Sequence, residues 1–244
     1  MTGSNEVTLN SLSDGQYTDC RLKVTDSAGN TGVLALGTFQ VDTVAPNATV
    51  TAQILSLTRD TTPSFVIDVS EASEVSYSGS CSSSTTQVQS GSNEITLNAL
   101  SDGTYSDCSI QLTDASGNQS MPYALDPFEI DSNPPNLHLT KVIAGLLNDS
   151  TPSLVFSSSE LGAISYAGAC SSATTAAVSG ENEIALNHLH DGTYTDCELR
   201  VTDSAGNLGV LALGNFTVDT LAPSVTITSQ IPSLTRDTTP SFVI

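Results

Sequence analysis

Three aspartates, Asp26, Asp114 and Asp203, each precede an asparagine by four residues. They do so in the phrases T-D-S-A-G-N (25–30), T-D-A-S-G-N (113–118) and T-D-S-A-G-N (202–207). Oxygens at this spacing suit two kinds of chemistry. Carboxylates and amides can ligate a hard cation such as calcium, which takes about six to eight oxygens. They can equally close a turn, with Asp accepting backbone N–H bonds and Gly and Asn tolerating left-handed φ. Both readings stay open on the residues alone.

The remaining reactive groups argue against catalysis. The chain has three histidines, His138, His188 and His190, and they do not recur. Ala99 and Ser101 stand at the places of His188 and His190 one copy earlier, so the histidines read as surface residues. No Cys-x-x-Cys pair and no Gly-rich phosphate loop is present. The expectation is a protein that is not an enzyme.

The phrase recurs because the whole chain repeats. Cys20, Cys108 and Cys197 end near-identical stretches 88 and 89 residues apart. Pro63, Pro152 and Pro240, in R-D-T-T-P-S-F-V-I and its N-D-S-T-P-S-L-V-F variant, step by 89 and 88. Internal repeats of this strength precede any other reading. They predict complete repeats at 44–131 and 132–219, the C-terminal half of a repeat at 1–43, and the N-terminal part of another at 220–244. The phase of the repeat makes the chain read as a window on a longer array, with no signal peptide in view.

Composition narrows the class. Formal net charge is −20, with only 6 Lys plus Arg among 244 residues. Nucleic acid and anionic membrane surfaces would repel such a chain, so neither is expected as a partner. No apolar stretch reaches the ~18 residues of a membrane span. Within 44–131, short runs rich in Val, Ile, Thr and Tyr alternate with Gly, Pro, Asn, Asp and Ser clusters. That pattern predicts an all-β Greek-key sandwich of about seven strands per repeat, A to G. A weaker strand is placed at T-T-Q-V-Q (85–89).

Five cysteines sort by repeat: Cys81 with Cys108, Cys170 with Cys197, and Cys20 with a partner outside the window. Intra-repeat disulfides account for both the pairs and the remainder. Each would stabilise by roughly 3–4 kcal/mol in the chain-entropy picture, and disulfides imply an oxidising, extracellular location.

The sandwich topology gives the aspartates a setting. The F–G and B–C loops lie at the end where strand A begins, facing the end of the preceding repeat. One junction would gather Asp42, Glu71, Asp114 and Asn118; the next would gather Asp131, Glu160, Asp203 and Asn207. Crowded carboxylates repel unless a cation or protons intervene, so calcium between repeats is the candidate cofactor. Pro46, Pro223 and the pair Pro134-Pro135 limit the freedom of the linkers.

Taken together, D-T-T-P-S-F-V-I, Y-S-G-S-C, G-T-Y-S-D-C, V-T-D-S-A-G-N and V-D-T-x-A-P resemble the bacterial immunoglobulin-like repeats of large surface adhesins and biofilm-associated proteins. The resemblance covers essentially the whole chain. D-G-T-Y resembles the tyrosine corner of immunoglobulin-like domains, although Tyr105 precedes Cys108 by three residues instead of two. The resemblance implies a cell-surface or secreted stalk in cell adhesion and biofilm formation, holding a terminal domain that binds a host or matrix ligand. Some family members bind calcium between modules through Asp residues of these loops. The expected function is therefore a structural spacer, with neighbouring repeats as partners. The alternatives are an extracellular filament subunit joined to other copies by strand exchange, and a glycan- or protein-binding module.

Overall fold

The structure is a computed structural model that describes residues 3–244. It is all β, with no helix among the described residues. The chain divides into two compact units, Met1–Ser132 and Asn133–Ile244.

The first unit opens with four strands: β1 (Gly15–Tyr17), β2 (Arg21–Thr25), β3 (Thr31–Ala35) and β4 (Phe39–Val41). They form two antiparallel pairs, β1 with β4 and β2 with β3. A full sandwich follows, made of β5 (Ala48–Ala52), β6 (Leu57–Thr58), β7 (Ser64–Val69), β8 (Ser73–Ser78), β9 (Gln87–Val88), β10 (Gly91–Thr96), β11 (Gly103–Tyr105), β12 (Ser109–Asp114), β13 (Tyr123–Ala124) and β14 (Phe128–Ile130). One sheet runs β10-β7-β5, the opposing sheet runs β13-β12-β8-β9, and a small third runs β11-β14-β6.

Seven strands per repeat are expected from the sequence and ten form: the short strands β6 and β11 lie outside the runs at 47–54 and 108–114 read as strands A and F, and the run at 123–131 read as strand G divides in two. β5 is antiparallel to β7, and β6 is parallel to β14. β11 and β12 lie in different sheets, as do β13 and β14, with Asp126-Pro127 between the latter two. Period-2 alternation drives the inner faces together. Phe65, Ile67 and Val69 from β7 meet Ile110 and Leu112 from β12, all essentially without solvent exposure.

Tyr105 shows why its spacing departs from the usual corner. The break between β11 and β12 frees its parity from that of Cys108. Its ring stacks on Phe128 with centroids 5.2 Å apart, and its hydroxyl donates to the Ser101 carbonyl at 2.8 Å. That backward bond is the tyrosine-corner contact. Tyr17 donates likewise to Ser13 and Tyr194 to His190.

The second unit repeats the plan with β15 (Leu137–Lys141), β16 (Gly145–Leu147), β17 (Ser153–Ser158), β18 (Gly162–Ala167), β19 (Ala176–Ala177), β20 (Gly180–Ala185), β21 (Gly192–Tyr194), β22 (Glu198–Thr202), β23 (Leu208–Ala212) and β24 (Phe216–Val218). Leu154, Phe156, Ile184, Leu199 and Val201 fill its core. The edge strands differ between the sandwiches. β23 pairs along five residues of β22, whereas in the first sandwich Pro122 removes a donor and leaves only the two-residue β13. Residues 220–244 contribute an isolated bridge, Ser229 with Val243.

Disulfides join Cys81 to Cys108 and Cys170 to Cys197, with Cα atoms 5.3 and 5.2 Å apart. Each bridge ties the segment after strand C to the start of strand F, and β8 and β12 are direct neighbours. The approach needs glycine. Gly79 has φ 78°, and a Cβ there would collide with the Asp107 carbonyl. Gly168 meets Asp196 in the same way. Cys20 is a free, half-buried thiol.

Candidate functional site

All three T-D-x-x-G-N phrases fold into one turn. Asp114 Oδ1 accepts the N–H groups of Ser116 (2.8 Å) and Asn118 (2.9 Å), and its Oδ2 accepts the Asn118 side-chain amide at 2.8 Å. Asp26 accepts the corresponding bonds from Ala28 and Asn30. Asp203 accepts both its bonds from Asn207 at 2.9 Å. Gly29, Gly117 and Gly206 supply the left-handed φ that the turn requires, at 87°, 90° and 93°. The turn chemistry is thus complete within each phrase.

In the first unit this turn lies beside two other carboxylates. Asp42 follows β4, Glu71 sits in the turn between β7 and β8, and Asp114 ends β12. One carboxylate oxygen from each lies within 4.8 Å of the others. Asn118 joins them through its nitrogen, which donates to the Asp42 backbone carbonyl at 3.1 Å as well as to Asp114. It therefore braces the two aspartates. Asp42 Oδ1 accepts the Val44 N–H at 3.2 Å.

The electrostatics split the three acids. Burial pushes the Glu71 carboxyl above its ordinary range, and the charges of Asp42 and then Asp114 push it further. Burial acts the same way on Asp114, but bonds from the Asn118 amide and from the N–H groups of Asn118, Ser116 and Gly117 outweigh it and hold that carboxyl low. The three carboxylates offer the oxygen donors that a hard cation takes, while Asn118 faces the cluster through its nitrogen.

The other predicted ligands lie on either side of the unit boundary. Asp131 follows β14, where its N–H donates to the Thr58 carbonyl at 2.9 Å. In the second unit, Glu160 occupies the turn between β17 and β18 and its carbonyl accepts the Ser158 hydroxyl at 2.6 Å. Asp203 and Asn207 are buried in their own turn.

A further set of carboxylates holds each sandwich to the residue that leaves it. Asp14 Oδ1 accepts both the N–H and the hydroxyl of Thr43, at 3.2 and 2.9 Å. Asp102 receives the same two bonds from Ser132, and Asp191 from Thr220. Each of these aspartates is followed by glycine, a pair whose local chemistry is that of a turn. The available signal was co-repetition: every S-D-G or H-D-G is matched by a Thr or Ser after the final V-D or I-D. Asp60, Asp149 and Asp237 likewise cap their turns, each accepting the N–H of the Thr two residues on.

Comparison with known proteins bears on the fold. Residues 47–132 match the family described as bacterial Ig-like domain. No curated protein sequence matches the chain. Among solved structures, the fibronectin(III)-like modules of Clostridium thermocellum CbhA align with 70% of this chain and 94% of their own, at 12% identity and a TM-score of 0.35.

Proposed function

We propose that this chain, whose residues 47–132 form a bacterial Ig-like domain, is a non-enzymatic spacer segment of a large extracellular or cell-surface adhesin. In this reading, repeats at 44–131 and 132–219 are flanked by parts of two more, at 1–43 and 220–244. One observation carries it: sandwiches of the same plan follow each other in the chain, each closed by its own disulfide at the same place, with no set of catalytic residues recurring between them. A spacer needs repetition and stability instead of a unique site. The disulfides support an oxidising location outside the cytoplasm.

A calcium ion at Asp42, Glu71 and Asp114 belongs to the same reading. The ion would draw together the end of β4, the β7–β8 turn and the end of β12, fixing a linker that Pro46 already restricts. The mutual approach of the three carboxylates supports it. Thermal unfolding of the whole chain in millimolar calcium and then in chelator tests the ion. Binding at a hundredfold excess over the dissociation constant would add about 2.7 kcal/mol, and the gain should vanish in Asp42→Ala. An unchanged midpoint removes the ion and leaves the spacer. Solution scattering from chains of increasing repeat number tests the spacer itself. A maximum dimension that grows with each repeat is expected, and a compact particle at every length would refute it.

A further inference from the structure

We infer that His188 and His190 form a two-imidazole chelate for a borderline transition ion of the zinc, nickel and copper class. Both side chains are exposed, and Leu189 between them is buried at 5% exposure. Alternation of this kind puts residues i and i+2 on the same face. The rings lie edge to face, with centroids 5.3 Å apart and planes at 72°. Two imidazoles on one tetrahedral zinc ion, with bonds of about 2.0–2.1 Å, have ring centres about 5 Å apart. The pair therefore stands at chelating distance. Binding asks the exposed rings to turn and leaves the backbone where it is.

The backbone beneath the pair is held along its length. Asn187 donates its N–H to the Ser171 carbonyl at 2.8 Å and its side-chain amide to the Ser171 hydroxyl at 2.9 Å. Leu189 donates its N–H to the Ser150 carbonyl at 2.8 Å. The His190 carbonyl accepts the Tyr194 hydroxyl at 2.9 Å. Asp191 Oδ1 accepts the N–H and the hydroxyl of Thr220 at 3.0 and 2.8 Å. Preorganisation of this kind lowers the ordering cost of binding.

Donor chemistry selects the ion. Imidazole nitrogens suit zinc, copper and nickel, whereas calcium takes oxygens. The carboxylates on the adjoining segments are engaged elsewhere. Asp149 accepts the N–H and hydroxyl of Thr151, and Asp191 those of Thr220. The pair thus differs in chemistry from the carboxylates of Asp42, Glu71 and Asp114. A net charge of −20 favours the approach of any divalent cation. With two protein ligands, the remaining positions of a four-coordinate ion stay open to water.

The frame recurs in the first sandwich without the rings. Leu100 donates its N–H to the Thr61 carbonyl and Tyr105 its hydroxyl to the Ser101 carbonyl, both at 2.8 Å. Ala99 and Ser101 stand there in place of the histidines. The chelate is therefore a property of one repeat, laid on a frame that both share.

The test uses the full chain with Cys20→Ser, titrated calorimetrically with zinc and with nickel in millimolar calcium. One transition ion per chain is expected. His188→Ala or His190→Ser alone should weaken binding by about a hundredfold, since the second imidazole of a pair acts at high effective concentration. Both substitutions copy what the first sandwich carries at those places, so the fold accommodates them. His138→Ala should leave binding unchanged. Ala99→His with Ser101→His should raise the count to two ions per chain. Copper(II), being paramagnetic, should broaden the amide signals of residues 187–191 and of Ser150 before others. Absence of binding, unchanged affinity in His188→Ala or His190→Ser, displacement of the ion by calcium, or broadening centred on Asp42, Glu71 and Asp114 would overturn the inference. So would a transplanted pair that adds no site.

Discussion

Thr43 donates two hydrogen bonds to a single oxygen of Asp14, one from its backbone N–H and one from its hydroxyl. The pair lies 29 residues apart in sequence and fastens the turn before β1 to the chain leaving β4. The same fastening recurs between Asp102 and Ser132, and between Asp191 and Thr220. Each one fixes the chain as it leaves a sandwich.

Removing one such fastening should cost little globally and act locally. Asp102→Ala is expected to destabilise by about 1–2 kcal/mol, the net worth of hydrogen bonds to a charged acceptor. Amide exchange should report faster opening at Ser132 than at Leu112. Uniform acceleration across the sandwich would mean that Asp102 acts on the fold as a whole.

The glycines at the disulfide and in the turn should respond differently. Gly79→Ala places a Cβ against the Asp107 carbonyl in addition to a strained φ, and should cost more than about 2 kcal/mol. Gly117→Ala meets open space at φ 90° and should cost about 1 kcal/mol. Denaturant midpoints for the two variants give the order, and a reversed order would contradict the close approach.

The disulfide should account for a large share of each sandwich's stability. Cys81→Ser with Cys108→Ser closes no loop across a separation of 27 residues, and is expected to lose roughly 3 kcal/mol. Chemical unfolding under oxidising and reducing conditions should reproduce the loss in the unaltered chain. Equal midpoints under both conditions would show that packing alone suffices.

Acid should act on the carboxylates with opposite signs. Bonds from the Asn30 amide and from the N–H groups of Asn30, Ala28 and Gly29 hold Asp26 low, against the opposing pull of burial. The Ser80 N–H and hydroxyl hold Asp107 low. With Asp114, these groups stabilise the fold fully above the ordinary aspartate value of 3.8, and the gain disappears as pH falls through their lowered folded values. Glu71 runs the other way. Its raised carboxyl keeps its proton to higher pH than in the unfolded chain, so stability falls as pH rises from its ordinary value of 4.5 to the folded one. In chelator at neutral pH, Glu71→Gln should therefore raise the melting midpoint, and the difference should vanish below pH 4.5. A variant that melts lower at neutral pH would contradict the repulsion.

The seven strand segments were legible because each buries one face and so alternates with period 2. The cysteine pairs were legible because the repeat placed exactly matched positions side by side in two copies. Other features escaped for physical reasons. Parity counts along Tyr105–Cys108 assume one continuous strand, and the chain changes sheets between β11 and β12. The Asp102–Ser132 fastening joins residues 30 apart, beyond any local pattern. Asn118 was a candidate ligand by type; the structure presents its nitrogen to Asp42 and Asp114, an orientation that residue identity leaves open.

The two disulfides also limit how far the chain can be drawn out. Under tension applied at its ends, force entering at Cys81 crosses to Cys108 through the sulfurs, bypassing the residues between them. An unfolded but oxidised repeat therefore keeps that segment slack. Reduction would release 27 peptide steps, or roughly 90 Å of contour per repeat at extended-chain dimensions. A single chain pulled in an optical trap would then lengthen in increments set by the redox state of its surroundings.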